Sequence, residues 1–345
     1  MAHASLLDST PDEHFRAFLY STDEKCLTGR TTSAFFRALL RHKIWQKGQK
    51  LSVVDVGCGH GDFAVALAEG AFDAGLEIGY EGVDLSGHYA GQAAERMAAL
   101  GFSARARKAD LFSAESVVAP CDVISASHAL YYTKFQPNEK TALSAALTLW
   151  EEKLRPGGMM LFVHQSAKSP WLKFSAALGD SKFDKIEKQI ERSCKKLGLP
   201  TTFFSFRTRI AFPDLGDRAK DLGDPERYDA HKGEEDFRMA LMLAGFAAEG
   251  RGLAALATSG QLAPHVARMA KSAKKNGGYL QTEQIVRVVL RKADKAMLPS
   301  FMDAVRDTRD VETEIAAEAG EALAELAEAD PSYAWLAALA GSAKK

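Results

Sequence analysis

The feature that most limits how this chain can fold is an alternation, between residues 51 and 165, of short β-branched runs with segments of helical spacing. LSVVDVG (51–57) ends in glycine and leads into GDFAVALAEGAF, where Phe63, Leu67 and Ala68 share one helical face. IGYEGVDL (78–85) precedes a helix over Ala90 to Leu100, and SARARKADL (103–111) follows it. CDVISASH (121–128) precedes a helix over Lys140 to Leu154, and MMLFVHQ (159–165) closes the series. Strands alternating with helices of that length predict an α/β fold with a doubly wound parallel sheet and right-handed crossovers, and two strand-like runs further along bring the expected sheet to seven strands, mostly parallel.

Around this centre the pattern changes. PDEHFRAFL (11–19) and a stretch near 31–46 read as helices. Beyond residue 166 helical segments (Trp171 to Leu178, Lys182 to Leu197, Glu234 to Leu243, Leu262 to Lys275) surround one strand-like run, TTFFSFRTRIAF, and QTEQIVRVVLRKA (281–293) returns to the sheet as its last strand. The expected division is a helical N-terminal lid (1–48), a ligand-binding core (49–166), a helical cap with one core strand on the substrate side (167–280), the last sheet strand (281–294) and a helical C-terminal extension (295–345). In that extension Ile315, Ala319, Leu323 and Leu326 recur on one helical face, which suits packing on the body or on a second subunit, as in a homodimer. Pro331 breaks the pattern.

Forty-four Lys plus Arg against 45 Asp plus Glu leave a net charge of -1, so no broad field gathers nucleic acid or an anionic bilayer. No apolar run reaches the roughly 20 residues of a membrane helix, and MAHASLLDSTPDEH lacks the order of a secretory signal, so a cytoplasmic location is expected. Cys26, Cys58, Cys121 and Cys194 form no CxxC pair and no metal site is expected.

The chemistry centres on Asp55-Val56-Gly57-Cys58-Gly59-His60-Gly61, between a predicted strand and a predicted helix. Glycines there allow a tight turn and let backbone N–H groups approach a ligand with no Cβ in the way. Asp84 ends the next strand, where a carboxylate accepts two hydrogen bonds from a ribose, with Leu85 beside it. Asp110 suits the amino edge of an adenine and Leu111 its ring face. An acidic loop with GxGxG spacing disfavours a dinucleotide, whose pyrophosphate needs the helix N-terminus.

Taken together, the motif order from Val53 to Val163, including LRPGGMMLF before the fifth strand, resembles the class I S-adenosylmethionine methyltransferases. The resemblance implies S-adenosylmethionine as cofactor and S-adenosylhomocysteine as product, with Asp55 reaching toward the amino end of the methionine moiety, directly or through water. Gly57, Gly59, Gly61, Asp84, Leu85, Asp110, Leu111 and Ser127 complete the expected cofactor set.

HFRAFLYSTDEKC (14–26), HALYYTKF (128–135), SAKSPWLKF (166–174) and GGYLQTEQIVRVVLRKA (277–293) are in turn similar to segments of histamine N-methyltransferase. That likeness spans residues 11–293 and implies a substrate cavity between sheet and cap, closed by an N-terminal helix. It carries over Asp23 as the acidic residue for a cationic amine, His128 where the family has glutamine, Glu283 near the family's asparagine, and Trp171 as an aromatic wall. The second wall tryptophan is replaced around Ser175, so the methylation machinery is retained while the recognition set differs. His128 is the expected general base or substrate-orienting acceptor, because imidazole titrates near neutral pH. Tyr132 is the expected cavity wall, with Tyr131 turned to the core.

The leading expectation is N-methylation of a small amine or imidazole metabolite. O-methylation of a carboxylate on a peptide or natural product, held by the basic face Arg268, Lys271, Lys274 and Lys275, stands beside it, as does a non-catalytic protein that binds the same cofactor. SHALYY after the fourth strand, in place of an Asn/Asp-Pro-Pro-aromatic turn, disfavours a nucleic-acid substrate.

Overall fold

A computed structural model describes residues 11–178, 185–231, 233–248, 253–311 and 314–316, together with 325 and 328. Seven strands, β1 (Lys50–Val56), β2 (Glu77–Asp84), β3 (Ser103–Lys108), β4 (Cys121–Ser127), β5 (Leu154–Gln165), β6 (Thr201–Ala211) and β7 (Tyr279–Leu290), form one sheet in the order β3-β2-β1-β4-β5-β7-β6. β3, β2, β1, β4 and β5 run parallel. β7 is antiparallel to both β5 and β6. The sheet is thus the mostly parallel, doubly wound one that the alternation predicts. Its chain order reverses between β1 and β4, so the loops leaving those two strands open a crevice at their carboxyl ends.

Eleven helices are described. α2 (Glu24–Arg41), α3 (Asp62–Asp73), α4 (Gly87–Ala99) and α11 (Leu298–Asp310) cover one face, burying Phe35, Phe36, Leu67, Met97 and Phe301 against Leu51, Val53 and Leu161. α5 (Glu139–Lys153) and α7 (Ile186–Leu197) cover the other, with Trp150 and Ile190 packed on Phe162 and Val289. α1 (Pro11–Ser21), α6 (Pro170–Leu178), α8 (Glu235–Ala248), α9 (Leu253–Thr258) and α10 (Leu262–Lys275) share a separate core built on Trp171, Phe212, Phe237 and Leu243.

Several boundaries differ from expectation. The helix read at 31–46 begins at Glu24 and ends at Arg41. Its TGRTT stretch has weak helix propensity, but packing decides: a Cβ on Gly29 would lie 3.1 Å from Ala66 Cβ, so glycine lets α2 and α3 close together. The segment expected as one N-terminal lid therefore divides, α2 joining the main core and α1 packing with the cap. β3 stops at Lys108, leaving Asp110 in the turn beyond it. β7 begins at Tyr279 and ends at Leu290, and a 3-10 turn, Lys292–Met297, leads into α11. Ile315 of the extension is buried, whereas Ala319, Leu323, Leu326 and Pro331 lie outside the described residues.

Candidate active site

The three glycines after β1 do different work. Gly57 (φ +72°) and Gly61 (φ +85°) are in the left-handed region, where a Cβ would fall 2.4 Å from Ala129 Cβ and 2.8 Å from Ala93 Cα respectively. Both are needed for close packing. At Gly59 (φ +50°) a Cβ would meet nothing within 4 Å, so this peptide borders open space. Its N–H donates to Asp84 Oδ2 at 3.0 Å, and the Ser86 N–H donates to Oδ1 at 2.8 Å. A carboxylate has about four acceptor sites, so Asp84 keeps capacity for two hydroxyls. Leu85 beside it is 69% exposed, an apolar side chain held in water at the crevice edge. Leu111 is buried behind Gly57, while Asp110 accepts from the Phe112 N–H (2.9 Å) and Gln136 Nε2 (3.3 Å). Ser127 Oγ, at the end of β4, is buried with no hydrogen-bond partner.

Asp55 departs from expectation. Its side chain is buried, Oδ1 accepting from Ser125 Oγ (2.8 Å) and Oδ2 from the Tyr80 hydroxyl (3.4 Å). Burial pushes its carboxyl up to about 7. The residue braces β1, β2 and β4 beneath the loop, and these contacts provide no direct reach toward a ligand's amino end while leaving the route through water open.

A second cluster lies where α2 starts, at the carboxyl end of β4 and beside the middle of β7. Glu24 is buried, Oε2 accepting from Gln284 Nε2 at 2.9 Å. His128 Nε2 and Lys25 Nζ stand 3.0 and 3.3 Å from its Oε1. The imidazole contact is an ion-pair distance without hydrogen-bond alignment, since Nε2 has no hydrogen-bond partner, and Gln284 Oε1 has none either. Burial alone would raise the Glu24 carboxyl; the charges of His128 and Lys25 outweigh it and hold the group at about 2. His128 has a φ of +54°, rare for a side chain with a Cβ, and its N–H donates to Val163 O at 2.9 Å. That backbone turn stores strain at the mouth of the crevice.

Residues 30–200 match the model of a family described as a methyltransferase domain. The chain carries a methyltransferase domain. The residues around its glycine loop would fit S-adenosylmethionine: Gly59 borders open space, Asp84 retains acceptor sites, Leu85 offers an apolar edge and Ser127 Oγ is an orphaned buried group. Among solved structures, the methyltransferase is similar to an S-adenosylmethionine-dependent methyltransferase from Clostridium acetobutylicum (15% identity, 52% of this chain and 60% of that one, TM-score 0.33). It is also similar to geranyl diphosphate C-methyltransferase from Streptomyces coelicolor A3(2) (15% identity, 74% and 78%, TM-score 0.37). The chain thus spans less than two thirds of the Clostridium protein. No curated protein sequence matches it.

In the methyltransferase, the cluster at the start of α2 is built from the chain neighbours of two residues expected to bind substrate. Asp23 is buried, but its two oxygens accept from the Arg209 backbone N–H (2.6 Å) and Nε (2.8 Å), tying α2 to β6. Its neighbour Glu24 takes the cluster position. Glu283 lies partly exposed on the alternate face of β7 from buried Gln284, because successive strand residues point to opposite faces. Trp171 packs in the cap core, its ring centroid 5.4 Å from Phe18 and 5.8 Å from Phe174. Tyr131 is buried, its hydroxyl accepting from the Gln165 N–H at 2.8 Å, whereas Tyr132 is 52% exposed. One signal could have found Gln284: in the alternating set Leu280, Thr282, Gln284, Val286, Val288 and Leu290 it is the one amide among apolar neighbours.

Proposed function

We propose that the enzyme transfers a methyl group to a nitrogen of a small cationic amine or imidazole compound. The observation that carries this reading is the buried, ionised Glu24 carboxylate with His128 and Gln284 at its two oxygens. A buried anion favours a cationic or N–H-bearing guest, and an anionic carboxylate acceptor would meet its repulsion. The cofactor supplies a methyl group already activated by its sulfonium charge. Glu24 and the free Oε1 of Gln284 hold and orient the acceptor, leaving its nitrogen aimed toward the crevice. An ammonium acceptor must lose a proton before its lone pair can attack, and the His128 imidazole takes that proton when it enters the cycle neutral, its charged form being the one that holds Glu24 ionised.

Purified enzyme incubated with deuteromethyl-labelled cofactor and a panel of arylalkylamines and imidazoles should give label on nitrogen by mass spectrometry. Glu24→Gln should raise KM for that amine by roughly tenfold to a hundredfold, as for loss of a charged hydrogen bond. Label on a carboxyl oxygen or a peptide, with no amine methylated, overturns the reading.

A further inference from the structure

The expected cofactor set contains acids for the ribose and the adenine but no cation for the carboxylate that ends the methionine moiety. Lys25 meets the requirement. α2 and α3 pack in parallel at the glycine contacts: Gly29 lies against Ala66, and a Cβ on Gly70 would fall 3.0 Å from Ser33 N. One turn earlier on each helix sets Lys25 level with Asp62, the first residue of α3, where the glycine loop ends. The N-terminal end of α3 therefore lies beside the helical turn that carries Lys25, and a helix terminus with an ammonium in reach suits an anion. Lys25 keeps 26% of its side chain exposed, its Nζ resting 3.3 Å from Glu24 Oε1, and its charge also reaches Asp55 below the loop.

We propose that Lys25 exchanges this ion pair for one with the carboxylate of the cofactor's amino-acid end. The exchange has a consequence across the crevice. While Lys25 rests on Glu24 it adds to His128 in offsetting the carboxylate that a cationic acceptor would use; once it turns to the cofactor, Oε1 keeps only the His128 contact. Cofactor binding then precedes acceptor binding for an electrostatic reason. The release step rests on the amine reading above, whereas the anchoring step does not.

Calorimetry with S-adenosylhomocysteine and its decarboxylated analogue separates the two. The native enzyme should bind the carboxylate-bearing ligand roughly tenfold to a hundredfold tighter than the analogue. Lys25→Met should shrink that ratio about tenfold by weakening S-adenosylhomocysteine alone, and Lys25→Arg should restore most of it. Glu24→Gln, which removes the competing partner, should tighten S-adenosylhomocysteine several-fold in the native background and leave it unchanged beside Lys25→Met. An equal ratio in native enzyme and Lys25→Met overturns the anchor. A Glu24→Gln enzyme that binds S-adenosylhomocysteine no tighter than the native one overturns the exchange. No acceptor enters these titrations, so a failed amine assay leaves them readable.

Discussion

The imidazole of His128 stands 3.0 Å from the carboxylate of Glu24, although the two residues belong to different elements and 103 residues of chain intervene between them. A left-handed backbone at His128 brings the ring into position, at a cost of about 1–2 kcal/mol for a residue with a Cβ. His128→Gly and His128→Ala both remove the imidazole, and only the glycine relieves the backbone. The glycine variant should therefore be the more stable by about 1 kcal/mol in urea unfolding, the reverse of the usual order. Both should lose at least about a hundredfold in kcat if the ring takes a proton. An alanine variant as stable as the glycine one would remove the strain argument.

Asp23 is predicted to matter for stability and not for the acceptor. Its carboxylate is buried and accepts two hydrogen bonds from Arg209, whose side chain keeps 17% of its surface exposed and also lies over the Tyr279 ring. Asp23→Ala should lower the unfolding free energy by roughly 1–3 kcal/mol, as for loss of buried hydrogen bonds to a charged group, while KM for the amine stays within about twofold at a temperature where the variant is folded. A large KM change with little loss of stability would return Asp23 to the substrate site.

The glycine loop makes a differential prediction. Gly57→Ala drives a methyl group into Ala129 and should cost about 3 kcal/mol of stability or prevent folding. Gly59→Ala meets open space, so it should lose only about 1–2 kcal/mol from its positive φ. Its main defect should be weaker S-adenosylmethionine binding, read by calorimetry. Equal stability of the two variants would contradict the packing described.

Asp55 sets a pH dependence. Burial lifts its carboxyl from 3.8 to about 7, so the folded state holds a proton there that the unfolded chain releases. Its contribution to stability is complete below about pH 4 and disappears as pH rises through 7. Asp55→Asn cannot titrate. Between pH 5 and pH 8 the native enzyme should lose roughly 2–4 kcal/mol relative to this variant in denaturant unfolding. Parallel curves over that range would mean that Asp55 is ionised throughout.

The order of strands and helices, the parallel centre of the sheet and the glycine loop with Asp84 at the next strand's end were all legible in the sequence. They rest on local periodicity and on glycine's unique backbone freedom, both of which are properties of short segments. Tertiary structure decided which of two adjacent residues joins the cluster at the crevice. In Asp23-Glu24 the docking of α2 on β6 turns the aspartate to Arg209 and the glutamate to His128, and in Glu283-Gln284 the pleat of β7 selects the amide. Side chains one position apart point in different directions, and the direction is set by partners distant in the chain, so no reading of neighbours could assign it.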